Sequence, residues 1–95
     1  MIRKRLVKKF FKNDSVDFSE KGPCKVTLVR AGKNTIDVIK AVREYGRLDL
    51  IEAKRIVDNC PRMIKCMITE QEALLIKSNV EMYGAVVQID TEAEN

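Results

Sequence analysis

Apolar residues recur every three or four positions in two successive stretches of this chain, Asn34 to Gly46 and Asp49 to Cys60, and that period predicts two short helices. At roughly 100° per residue, positions three, four and seven apart share a side. Val38, Ala41, Val42 and Tyr45 then face inward from the first helix, and Leu50, Ala53, Ile56, Val57 and Cys60 from the second. The outward faces are not uniformly polar. Ile36 falls with Lys40, Arg43 and Arg47, and Ile51 falls among Lys54, Arg55 and Asp58. Apolar side chains gathered on a face that should be solvated mark a partner surface, whereas isolated ones are ordinary. The pattern alone leaves both readings open, a docking ridge or a solvated face that happens to carry two isoleucines.

The remaining pattern places three strands and a third helix. Lys25 to Arg30 (KVTLVR) is a β-branched run, and Ala31-Gly32 turns it toward the first helix. Asn34 is the expected N-cap there, with Asp37 near the positive end of the helix dipole and a stop near Gly46. Asp49 with Glu52 has the form of a capping box, and Pro61 ends the second helix. Met63 to Ile68 (MIKCMI) reads as a strand. Thr69 with Glu72 repeats the capping box and opens what should be the longest helix, closed by Gly84. Ala85 to Ile89 (AVVQI) makes the last strand before an acidic, frayed end, DTEAEN.

The order β-α-α-β-α-β predicts an α+β fold, a three-stranded antiparallel sheet with three helices on one face. In the third helix Ala73, Ile76, Val80 and Tyr83 share the core side. Leu74, Leu75 and Met82 do not, which predicts cover by a second copy of the chain, as in a homodimer, or by the chain's own amino-terminal segment.

Composition narrows the function classes. The chain has 95 residues, 45% of them apolar, enough for one compact core and too few for a deep multi-step active site. It has no histidine, the commonest proton carrier and metal ligand. Cys24, Cys60 and Cys66 form no CxxC pair; an odd number without a secretory leader points to a reducing cytoplasm, with Cys24 and Cys60 on buried faces. No apolar run is long enough to span a bilayer.

The net charge of +4 is unevenly placed. Arg3, Lys4, Arg5, Lys8, Lys9 and Lys12 lie in the first twelve positions, where there is no acid, so the other 83 residues carry twelve bases against fourteen acids. Ile2, Leu6 and Phe10 repeat at a spacing of four in that segment, as in a short basic amphipathic helix. Asn13 to Pro23 reads as a linker. The expected organisation is a tail and linker over residues 1–23, a globular body over 24–90 and an acidic end over 91–95. The tail reads either as a disordered solubilising arm or as an anchor on RNA phosphates or an anionic membrane.

From Lys25 to Ile89 the body resembles the C-terminal globular domain of the bacterial large-subunit ribosomal stalk protein. The resemblance is carried by VIKAVR at Val38 to Arg43, by LxLxEAKxxV at Leu48 to Val57, by Pro61 and by Gly84-Ala85 before the last strand. It implies the same fold, and a two-helix surface that docks translational GTPases: initiation factor two, elongation factors Tu and G, and release factor three. Carried over by position, the contact set would be Ile36, Lys40, Arg43, Leu50, Glu52 and Lys54, extended by Arg47 and Ile51. Lys40 and Arg43 would meet an acidic partner helix, and Ile36 with Leu50 would supply the apolar centre. Leu50 is thus read twice, as core by periodicity and as contact by resemblance.

Several positions depart from the family's pattern. Thr35 stands where a basic residue is usual, Asp37 where a small one is, and Ile51 where a lysine is. Glu44, Arg47 and Asp49 replace glycines in the connection. Fewer cations weaken attraction to an acidic helix, while Ile51 adds about 1 to 2 kcal/mol of apolar burial if covered. The family's amino-terminal dimerisation segment and alanine-rich hinge have no counterpart, and the basic tail stands in their place.

These features favour a non-enzymatic protein acting in translation, without cofactor or small-molecule substrate. Glu70 with Glu72, or Glu52 beside Lys54, resemble acid-base pairs, yet such charges on helix faces are ordinarily solvated or capping. No glycine-rich phosphate loop follows a strand and no cluster has metal-ligand spacing. The alternatives are a protein-protein adaptor of the same fold unrelated to the ribosome, and a module tethered to RNA, the ribosome or a membrane by its tail.

Overall fold

A computed structural model describes residues 20–91. The six elements follow the expected order: β1 (Lys21–Arg30), α1 (Thr35–Gly46), α2 (Leu50–Asp58), β2 (Arg62–Ile68), α3 (Glu70–Glu81) and β3 (Val86–Thr91). β1 is central, with β2 and β3 antiparallel on either side. Side chains alternate along a strand, so β1 sends Cys24, Val26 and Leu28 into the core and leaves Lys25, Thr27 and Val29 half-buried on the other side. The helices close the apolar face with Val38, Ala41 and Val42 of α1, Ala53, Ile56 and Val57 of α2, and Ala73, Ile76 and Val80 of α3, which form one cluster with the strand residues.

The differences from the sequence reading have local causes. β1 begins at Lys21, inside the stretch expected to be linker, because Lys21 and Cys24 both pair with Ile68 across a bulge. The strands come very close there. A Cβ on Gly22 would lie 2.6 Å from the Ile68 carbonyl oxygen. α3 is no longer than α1, at 12 residues each, and it stops at Glu81, so Tyr83 packs on the core from the following turn.

Leu75 is fully buried, which removes it from any self-association patch with Leu74 and Met82; those two remain exposed. Helical periodicity gave α3 a narrow apolar stripe. The buried arc is wider, taking in Glu72 and Leu75, because α3 touches α1, β1 and β3 together. Glu72 is the one buried charged residue among those described. Its Oε2 accepts from Lys65 Nζ at 2.8 Å, and its backbone N–H donates to Thr69 Oγ1 at 3.1 Å. The cap at Thr69 is therefore real, but the carboxylate that should complete the box turns to Lys65 instead. Oε1 has no partner.

α3 also covers the outer edge of β3. Glu81 Oε2 accepts from the Val87 N–H at 2.9 Å, Lys77 Nζ donates to the Val87 carbonyl at 2.7 Å, and the two side chains pair at 3.1 Å. On the other edge, Met67 is the extra residue of the bulge between Cys24↔Ile68 and Lys25↔Cys66, held at φ 59° with 61% of its surface exposed. Left-handed backbone costs an L-residue ~1–2 kcal/mol, part of which glycine loses again as chain entropy. Met67→Gly is expected to stabilise the fold by up to ~1 kcal/mol, a rise of a few degrees in Tm. Thermal unfolding followed by circular dichroism reads this directly, and a lower Tm would mean that the methionine is held by contacts rather than strained.

Candidate functional site

α1 and α2 pack against each other and present the face singled out by the periodicity. α1 starts without the expected side-chain cap: the Asn34 amide donates to the Tyr83 carbonyl at 3.3 Å, tying the entry of α1 to the turn after α3. Asp37 stands in the first turn, where the dipole favours it. At the far end Arg47 takes the left-handed conformation ordinarily filled by glycine, and the Leu48 N–H reaches back to the Arg43 carbonyl at 3.0 Å. The chain reverses within Arg47 to Asp49. Asp49 then caps α2 as expected, accepting from the Glu52 N–H at 2.8 Å.

This geometry fixes what faces outward. Ile36 is 68% exposed, Leu50 56% and Ile51 69%. Leu50 is not a core residue: it is the first residue of α2, ahead of the turn in which Ala53, Ile56 and Val57 begin the buried stripe. Cys60 lies just past the end of α2, half-buried and packed against the core, while Cys24 is buried and Cys66 exposed. Lys40, Arg43 and Lys54 are exposed, and so is Arg47. Lys40 and Arg43 line a shallow groove with Glu44 and Leu48. Beside it, burial pushes the Tyr45 hydroxyl above its ordinary pKa, with Glu44 and Tyr83 adding to the rise, so Tyr45 stays neutral at physiological pH.

The charges on the two helices differ in their company. On α2, Lys54 pairs with Asp58 at 2.8 Å and Arg55 with Glu52 at 3.1 Å. Among the described residues no ion pair involves Lys40 or Arg43. Six members of the expected contact set, Ile36, Lys40, Arg43, Leu50, Glu52 and Lys54, thus lie on the α1–α2 surface, but Glu52 and Lys54 are engaged within α2. The sequence reading missed that engagement, although the spacings of three and four between these charges announce it. The basic set Arg3, Lys4, Arg5, Lys8, Lys9 and Lys12 lies outside the described residues, as do residues 92–95 of the acidic end, whose expected first residues Asp90 and Thr91 instead pair with β1 as the last of β3. Among the described residues there is no group of three or more histidine, cysteine or acidic side chains placed to hold a metal, and no helix long and apolar enough to cross a membrane.

Comparison with known proteins agrees with the fold. The family model described as ribosomal protein L7/L12 C-terminal domain matches residues 24–90. The chain is similar to the large ribosomal subunit protein bL12 of Dictyoglomus thermophilum, 49% identical over 70 residues that cover 74% of this chain and 56% of that protein. It is 45% identical to the bL12 of Bacillus thuringiensis over 71 residues, covering 75% and 60%. With the bL12 of Rickettsia akari the identity is 39% over 71 residues, covering 75% and 57%. The matched part of the chain thus spans less than two thirds of the length of these curated relatives.

Proposed function

Because the chain belongs to the ribosomal protein L7/L12 C-terminal domain family, we propose that its α1–α2 face docks translational GTPase factors and that the protein acts in, or modulates, translation. One observation carries the reading: exposed aliphatic side chains, Ile36 of α1 and Leu50 of α2, lie on the same pair of packed helices as two exposed cations, Lys40 and Arg43, that have no carboxylate partner among the described residues. Aliphatic area left open beside unpaired charge suits an amphipathic acidic helix, which would bury the first and neutralise the second.

The basic amino-terminal segment has a place in the same reading, as a phosphate-binding tether that would hold the domain near ribosomal RNA. The test is a titration of the full chain against purified initiation factor two, elongation factors Tu and G and release factor three, with bL12 as competitor. Saturable binding to at least one factor, displaced by bL12, is the expected result. If no factor binds, or if bL12 fails to displace the chain, the face serves something else.

A further inference from the structure

The exposed charges of α2 cancel. Glu52, Lys54, Arg55 and Asp58 are two acids and two bases joined in two pairs, Lys54 to Asp58 and Arg55 to Glu52. Surface pairs of this kind are weak and open readily, at ~0–1 kcal/mol each. Their opening does not alter the local sum, so a carboxylate above α2 meets as much repulsion as attraction. The exposed groups above that neutral strip are aliphatic, Leu50 and Ile51, and Ile51 is the more open of the two. On α1 the balance is different: counted with Arg47 at its C-terminal end, Lys40, Arg43 and Arg47 stand against Asp37 and Glu44, and neither Lys40 nor Arg43 is in an ion pair among the described residues.

Resting on the docking reading above, we propose that the two helices divide recognition between them. α1 supplies the charge, through Lys40 and Arg43 on the helix that also carries Ile36, and α2 supplies apolar area alone, through Leu50 and Ile51, with Ile51 deciding between ligands. The matching partner is an amphipathic helix that carries carboxylates along one flank only, laid over α1, with its apolar stripe turned to α2. A helix with carboxylates on both flanks would bring one row above Ile51, where it loses hydration and gains no net attraction. Lys54 contributes little in this arrangement, because its charge is matched by Asp58.

The experiment uses the full chain with two kinds of probe. One is a purified elongation factor; the other is a synthetic helical peptide with a leucine stripe and glutamates on one flank, compared with the same stripe flanked by glutamates on both sides. Wild type is expected to prefer the one-flank peptide. Ile51→Ser should weaken its binding by about tenfold with little change in salt dependence, since it removes buried apolar area without adding or removing a charge. Lys40→Met should lower both affinity and salt dependence, while Lys54→Met should stay within about twofold of wild type. All three sites are exposed, and circular dichroism checks that each variant is folded.

Equal binding of the two peptides, an Ile51→Ser variant as good as wild type, or a Lys54→Met loss matching that of Lys40→Met would overturn the division. If the peptide responses are as expected and no factor binds, the division stands and the docking reading falls. If factors bind and the variants respond the other way, the division alone falls. Failure to bind either probe removes both.

Discussion

Reversing two charges, Lys40→Glu with Arg43→Glu, is expected to abolish factor binding while the domain stays folded. Both side chains are exposed, and α1 is held by the opposite face through Val38, Ala41 and Val42. Each cation that loses a charge-assisted contact costs ~1.5–3 kcal/mol, and reversal adds repulsion, so the pair should lower affinity by more than about a hundredfold. Arg43 lies in the last turn of α1, where a negative side chain also opposes the helix dipole by ~0.3–1 kcal/mol. A small loss of stability is therefore expected, and Arg43→Gln separates it from the binding effect. Calorimetric titration against each factor reads the result. A double variant with wild-type affinity for every factor would refute the assignment of the face.

The largest effect on stability is expected at the turn between β1 and α1. Gly32 has φ 80°, and a Cβ there would lie 2.6 Å from the Gly84 carbonyl oxygen. Gly32→Val combines two costs: a β-branched side chain at positive φ, and a backbone oxygen that moves only if the turn leading into β3 moves with it. A loss of ~3 kcal/mol or more is expected, a large part of the 5–15 kcal/mol that ordinarily holds a domain. The control is Gly84→Ala. Gly84 is also left-handed, at φ 93°, but nothing lies within 4 Å of an added Cβ, so only the conformational cost of ~1 kcal/mol applies. Urea unfolding of both variants decides the matter, because equal midpoints would mean that the close approach is unimportant. The link to function is direct: this turn leads within a few residues to Ile36.

The element order was legible because the signals were redundant. α2 is announced by its period, by the Asp49 cap and by Pro61 at its end, and the structure has all three. Periodicity located the exposed Ile36 and Ile51 for the same reason, since a 3.6-residue repeat needs only neighbours along the chain. What could not be read were properties fixed by distant residues. Asn34 looks like a cap in one dimension, and only the fold brings the Tyr83 carbonyl to its amide. Leu75 looks solvated on a helical wheel that assumes one buried flank, but α3 is enclosed by several elements. Glu72 looks like half of a capping box until β2 supplies Lys65. Leu50 shows the remaining weakness: a periodic stripe continues on paper into the first turn of a helix, where the side chain has already passed the rim of the core.

The strap that Lys77 and Glu81 lay over Val87 has a wider consequence. An incoming strand finds the one amide and the one carbonyl it would need at that position already occupied, and the bulges of β2 distort the ladder on the other border. Growth of the sheet from molecule to molecule is thereby discouraged. The domain can therefore keep its greasy helical ridge uncovered without inviting fibres.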